Sequence, residues 1–262
     1  MVVLRDCLPS DLYHHFMLLH AAVVMLLDPL TALQRCEDAN KLLREFVSQL
    51  CELYGAESMV YTMHNLIHVA DDVQQYGALD SYSAFAFENE LGQLKRLLRS
   101  GKDRLRQLCR RLTEQQISQQ RSFKSRTSLP VVTGVHSAGP TYGIVGVQYS
   151  KMHYLGYTFN CNNIADCYAL LKCGSVIKIE NFIECSSDKI VVGHLFAECK
   201  SFYSYPCDSQ LLNIFRLSSL RDDAYIGHHT DIVRKCLLLP RKNYFISVPL
   251  LHVAYNVGTK VM

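Results

Sequence analysis

Residues 121–142, RSFKSRTSLPVVTGVHSAGPTY, divide the chain into two kinds of sequence. Ser, Thr, Gly and Pro dominate this stretch, Pro130, Gly134, Gly139 and Pro140 break it, and no apolar period runs through it. Before it, apolar residues recur every three or four positions; after it, they come in short β-rich runs. The reading predicts an α+β protein. An N-terminal all-helical unit occupies residues 1–122, a flexible linker 123–142, and a small β-barrel-like or sandwich domain 143–255.

Upstream, Pro9, Ser10 and Asp11 form a helix start before Leu12, Phe16, Leu19 and Val23, whose spacing marks one buried face. A second helix follows Asp28-Pro29, with Leu33, Leu42, Leu43, Phe46, Leu50 and Leu53 in period until Tyr54-Gly55 stops it. A third is expected from Glu57 to Tyr76, closed by Gly77. A fourth runs from Ala84 to Leu98, with Phe87, Leu91, Leu94 and Leu98 as its apolar stripe, and a fifth from Lys102 to Ser122. Downstream, strands are expected at Tyr168–Leu171, Val176–Ile179, Ile190–Phe196, Leu212–Phe215, Cys236–Leu239 and Tyr244–Val248, separated by turn clusters such as Ser186-Ser187-Asp188.

Composition narrows the class. Hydrophobic residues make up 49% of the 262 positions and charged residues 19%, which excludes a disordered chain. The eleven cysteines include no Cys-x-x-Cys pair, and their odd number argues for mostly buried thiols in a reducing compartment rather than a secreted disulfide framework. The longest apolar run, Phe16 to Leu27, contains His20 and falls short of the about 20 residues a membrane span needs, so it reads as a core helix. The first residues lack the basic-then-apolar layout of a signal peptide. The expectation is a soluble nuclear or cytoplasmic protein without a membrane partner.

The net charge of +3 conceals a segregation. Lys95, Arg96, Arg99, Lys102, Arg104, Arg106, Arg110, Arg111, Arg121, Lys124 and Arg126 fall in one stretch with only Asp103 and Glu114 against them, so it carries +9 and the remainder −6. These cations alternate with Leu97, Leu98, Leu105, Leu108 and Leu112. The pattern is that of an amphipathic basic helix pair, able to bind phosphates by counterion release or to lie as a solvated face on acidic neighbours.

Two further features bear on chemistry. His64 and His68 stand at i and i+4 on the expected third helix, a spacing that holds a transition metal or serves two hydrogen-bonded histidines equally well. Asn65 excludes the metalloprotease pattern, and Asp71 or Asp72 could orient His68. Glu88 opens a ridge that continues through Gly92, Lys95 and Arg99. Such a ridge suits a carboxylate holding a divalent cation beside a gripped phosphate, or simply an acid favoured by the helix dipole ahead of a basic face.

As a block, Tyr61 to Leu98 resembles the C-terminal part of the catalytic region of CACTA-type (EnSpm-like) DDE transposases, with the domain of unknown function that follows their core. The matching residues are Met63-His64-Asn65-Leu66-Ile67-His68, the Asp71-Asp72 pair, Tyr76-Gly77-Ala78-Leu79-Asp80, Ser83-Ala84-Phe85-Ala86-Phe87-Glu88-Asn89 and Leu94-Lys95-Arg96. The similarity extends over Leu8 to Leu112. In such enzymes a ribonuclease-H-like fold holds two metal ions with two Asp and one Glu, so the resemblance implies Glu88 as the third carboxylate. A zinc-binding His pair precedes that Glu in related recombinases, which implies zinc at His64 and His68. The two Asp and the Cys partners of the zinc are expected upstream of this sequence. The resemblance therefore implies a truncated, transposon-derived protein that binds DNA, is inactive alone, and holds Mg²⁺ only if another chain supplies the missing carboxylates. The β part, through residues 176–182 and 235–240, loosely resembles bromo-adjacent-homology barrels, which implies a protein partner. Two other classes stay open: an interaction module without nucleic-acid binding, and a nuclease completed by a second chain.

Overall fold

The computed structural model describes residues 1–99, 101–120, 129–186 and 188–251. They form two compact units, one of residues 1–81 with 129–251, the other of residues 82–99 and 101–120. The α+β class stands, with helices in the N-terminal half and an antiparallel sheet in the C-terminal half. The grouping differs from the sequence expectation, because the first four helices pack with the sheet and not with the last two helices.

In the larger unit, α1 (Ser10–Leu27) and α2 (Ala32–Tyr54) are the long helices, followed by the short α3 (Tyr61–His64) and α4 (Val69–Tyr76). Their ends fall where the punctuation put them: Pro9 precedes α1, and Gly55 and Gly77, at φ +87° and +88°, close α2 and α4 in a conformation that glycine adopts without strain. The single helix expected over Glu57–Tyr76 is broken, since Asn65–His68 turns as a 3-10 segment between α3 and α4.

The buried face of α1 also differs. Leu18, Ala21, Ala22, Met25 and Leu26 are the inward residues, whereas Leu12, Phe16, Leu19 and Val23 are half-buried. An almost uniformly apolar helix offers no period that selects a face, so packing selects it. Here alanines win because Ala21, Ala22, Ala32, Ala39 and Ala70 let α1, α2 and α4 close on one another and on Phe202, Ile214 and Ile246 of the sheet part, in one shared core. By length and composition α1 could cross a membrane, yet Met17, Leu18, Ala21, Ala22 and Leu26 are fully inaccessible within the fold.

The sheet has eleven strands: β1 (Val131–His136), β2 (Val147–Tyr154), β3 (Tyr157–Asn160), β4 (Tyr168–Leu171), β5 (Val176–Cys185), β6 (Asp188–Phe196), β7 (Cys199–Ser201), β8 (Phe215–Leu217), β9 (Leu220–His228), β10 (Ile232–Arg241) and β11 (Tyr244–Pro249). Its main path is β1-β2-β5-β4-β10-β11-β8-β7, with β3 branching from β2, and β6 from β5 and on to β9. The expected barrel does not form, because β1 and β7 end the path without meeting. A second core lies within the sheet around Met152, Phe159, Ile177, Ile179, Phe182 and Val191. Of the run Leu212–Phe215 only Phe215 is in a strand, as the first residue of β8: Ser209–Leu212 is a 3-10 turn, held where the Ser209 hydroxyl donates to Ile214 O (2.8 Å) and accepts from Phe202 N (2.8 Å).

The expected linker is structured wherever it is described. β1 occupies Val131–His136, and the following loop is pinned by Asn181, which is fully buried. Asn181 Nδ2 donates to Pro140 O and to Gln148 Oε1, both at 2.9 Å, while Gly139 N donates to the same Gln148 oxygen at 3.0 Å. A Cβ on Gly139 would stand 2.5 Å from Asn181 Nδ2, so the glycine marks a close approach and not a hinge.

The thiols are less buried than composition suggested. All eleven are free; Cys36, Cys167 and Cys236 are buried, while Cys7, Cys51, Cys109 and Cys173 are exposed. Burial pushes the Cys236 thiol up to about 12, so it remains protonated and inert.

Two charged groups bind helices to sheet. Arg234 of β10 pairs with Asp28, at the end of α1, and both are nearly inaccessible. Breaking such a buried pair from one side leaves an uncompensated charge. Arg234→Met alone is expected to cost about 3–5 kcal/mol in denaturant unfolding, and the double variant Asp28→Asn/Arg234→Met to recover most of that loss. Recovery of none of it would show that the cost lies elsewhere.

A pH dependence follows from His20. Burial lowers its imidazole from 6.5 to about 4, and its Nε2 has no hydrogen-bond partner among the described residues. Because the folded value lies below the unfolded one, the unfolded chain takes up the proton first as pH falls. The stability is complete above pH 6.5 and declines between 6.5 and 4 by up to about 3 kcal/mol. His20→Met is expected to flatten the unfolding midpoint measured across that window.

Candidate nucleic-acid interface

The smaller unit contains α5 (Phe85–Leu97) and α6 (Arg104–Gln120). Leu98 is extended (ψ 123°), which ends α5, and the turn into α6 is fastened by Gln107. Its side chain accepts from Arg99 N at 3.1 Å and donates to Lys102 O at 2.5 Å, while its own N–H reaches Asp103 O at 3.0 Å. Three cations, Arg99, Lys102 and Arg104, are thereby gathered at one helix junction. The ridge expected to run from Glu88 through Gly92 and Lys95 to Arg99 stops at Lys95, because Arg99 lies beyond the helix end.

Lys95, Arg96, Arg99, Lys102, Arg104, Arg106 and Arg110 are all exposed, and Arg111 is half-buried. Glu114 binds two of them: its carboxylate accepts from Arg110 Nε at 3.2 Å and from Arg111 at 3.5 Å. The other six make no ion pair among the described residues. Arg106 and Arg110 share one face of α6 at i and i+4, and Arg104 and Arg111 share another, so the helix is basic on two sides. The apolar stripe of α5 is poorly covered, with Phe87 70% and Leu91 56% exposed. Arg121, Lys124 and Arg126 lie outside the described residues.

The expected metal sites are not assembled. His64 and His68 are exposed, with ring centroids 5.8 Å apart at 72°, and they belong to the larger unit whereas Glu88 belongs to the smaller. Among the described residues no group of three His, Cys, Asp or Glu could hold an ion. Two imidazoles do not fit the closed four-ligand coordination of structural zinc, and one carboxylate does not fit a two-metal centre. Glu88 is exposed in the first turn of α5, and Asp71 and Asp72 are exposed in the first turn of α4, where the helix dipole favours acids.

Two polar constellations escape sequence reading. In the sheet, a register shift between Ile179 and Asn181 leaves Glu180 unpaired with β6 and turned to His194: Glu180 Oε2 lies 3.2 Å from His194 Nδ1 and Lys178 Nζ lies 3.5 Å from Oε1. The far nitrogen of that ring, Nε2, faces the Tyr142 hydroxyl at 3.4 Å, and Tyr142 itself has φ +47°. The ring thus turns Nδ1 to the carboxylate and Nε2 to the phenol. The second constellation is a cleft of about 440 Å³ at the start of α1, lined by Arg5, Tyr13, His14, Tyr203 and Tyr205 among others. Its members are up to 200 positions apart in the chain, and only the fold joins them.

Residues 135–250, less than half of the chain, match a family described as a domain of unknown function, DUF8592; the match begins within β1 and ends just past β11, so it covers the sheet and none of the helices. No curated protein and no solved structure matches the chain.

Proposed function

We propose that the chain is a nucleic-acid-binding protein whose grip is the basic helix pair of residues 85–120. The observation that carries this reading is the group of six exposed cations, Lys95, Arg96, Arg99, Lys102, Arg104 and Arg106, that no carboxylate neutralises among the described residues. Each phosphate that such cations neutralise releases condensed counterions, and that release drives association. Their spread over two faces of α6 and the α5–α6 junction suits a backbone gripped by position and charge, with no base-edge readout required. The transposase resemblance of residues 61–98 agrees with such a partner, and in this reading the protein is transposon-derived and binds DNA, with no two-metal centre among the described residues.

The exposed Phe87 and Leu91 favour a second reading, in which α5 docks on a protein and the cations meet an acidic partner surface. Salt separates the two. With a short duplex as probe, affinity should fall steeply with added salt. Arg99→Ala/Arg104→Ala/Arg106→Ala should reduce the slope of log K against log[salt] by about 0.9 for each phosphate that is no longer neutralised. Phe87→Ser/Leu91→Ser should leave duplex affinity within about twofold, since apolar side chains add nothing to counterion release. A salt-independent affinity, or a triple variant that binds as tightly as the native chain, overturns the nucleic-acid reading.

A further inference from the structure

The cleft at the start of α1 differs from the rest of the surface in how its polar groups are left. Seven buried side-chain polar atoms have no hydrogen-bond partner among the described residues, and three of them, the Tyr13 and Tyr203 hydroxyls and His20 Nε2, are neighbours on this side of the molecule. Tyr13 and Tyr203 line the cleft, and His20 stands behind with its ring edge-on to Tyr203 at 6.2 Å. Native structures pair nearly all such atoms, and a buried donor left alone is costly. Three such atoms on the side of the molecule that carries an open cleft single that cleft out for a ligand.

The remaining lining defines the ligand. Arg5 is exposed and its guanidinium lies over the Phe202 ring, 5.3 Å from its centre, at the cleft wall. No ion pair engages it among the described residues, because the adjacent Asp6 is turned to Arg241 at 3.3 Å. A planar guanidinium with free donors is the group that binds oxyanions in a forked geometry. The α1 start adds backbone N–H groups, since Pro9 supplies no side-chain cap. His14 and Tyr205, which also line the cleft, present rings 4.8 Å apart at 57°, both exposed, and Glu45 acts on Tyr205 electrostatically. The lining is therefore cationic, hydroxylic and aromatic. Its volume, about 440 Å³, is within the range of small-ligand clefts.

We propose that this cleft binds a small ligand carrying an oxyanion on a flat ring, with the anion at Arg5 and the ring against Tyr205 and His14. Both the Tyr13 and Tyr203 oxygens are closed to water and without a hydrogen-bond partner among the described residues. A ligand oxygen that reaches them gives each hydroxyl an acceptor. The site lies wholly in the larger unit, so it stands whether or not the basic helices bind nucleic acid.

Phenyl phosphate is the probe, with benzoate, phenol and inorganic phosphate beside it, followed by saturation-transfer NMR and thermal unfolding of the full chain. Phenyl phosphate or benzoate should bind and raise the unfolding temperature, and comparison of the two tells whether phosphate or carboxylate is the preferred anion. Phenol and inorganic phosphate should each bind more weakly, because each lacks one half of the recognition. Arg5→Gln should abolish the shift. Tyr203→Phe should weaken binding roughly fivefold, yet leave the free protein as stable as before or more so, because it removes a hydroxyl that has no partner. Absence of binding by both anions at about 10 mM, phenol binding as tightly as phenyl phosphate, or affinity unchanged in both variants overturns the proposal.

Discussion

Asp28 and Arg234 are the two charges that the fold can least leave apart. Both are nearly inaccessible, and each would be untenable without the other in a medium that solvates ions poorly. Their pairing ties the turn after α1 to the start of β10, 206 residues on. Asp28 also accepts from Leu30 N at 2.9 Å, which sets the entry to α2. On the sheet side, a register shift between Ile232 and Arg234 aims the guanidinium toward the helices. The next residue then points to the other face, where Lys235 pairs with Asp166 and donates to Thr158 O at 2.7 Å. Consecutive cations, each with its own aspartate on its own face, fix the orientation of β10 and leave no freedom for a slipped register. The helical layer could not slide over the sheet without exposing one of these charges to an apolar surface.

This dependence explains what could be seen in the sequence. Helix ends were legible because they are local: Pro9, Gly55 and Gly77 act through their own backbone. The strands β4, β10 and β11 were legible for the same reason, being apolar runs between turn clusters. The face of α1 was not, since an alanine is inward only if something small is needed there, and that need is created by α2, α4 and the sheet together. The stretch after residue 128 misled because glycine and proline have two uses. Gly134, at φ +75°, sits in an edge strand where a Cβ would meet the Ser150 hydroxyl at 2.3 Å, and Gly139 fits under Asn181. Both are packed positions with the composition of a linker.

The same distinction separates the two sites. The basic helix pair was legible as a charge run, since its cations are close in sequence; only their partition between Glu114 and solvent required the structure. The His64–His68 pair kept its helical proximity but gained no third ligand, because i, i+4 spacing can place two imidazoles together and can say nothing of what comes from elsewhere in the chain. Tyr142, Glu180 and His194, and likewise Arg5 with Tyr203, are joined by strand register and helix docking. No local period encodes them.

Charge segregation has a consequence for how a polyanion would be engaged. A chain of net +3 is weakly attractive as a whole, and beyond about 10 Å in ordinary salt even that is screened. Within that distance the +9 stretch dominates, while the remainder, at −6, is repelled. A nucleic acid bound as proposed would be drawn to one segment and pushed from the rest, so electrostatics would orient the encounter as well as strengthen it. The salt dependence of binding would then report the number of phosphates neutralised locally and not the net charge, since counterions are released only where cations meet the backbone. A variant that neutralises acids in the larger unit raises the net charge without neutralising any further phosphate; it should change the rate of association more than the salt slope. Net charge and local charge are in this way experimentally separable, and the second is set by the cations of residues 95–126.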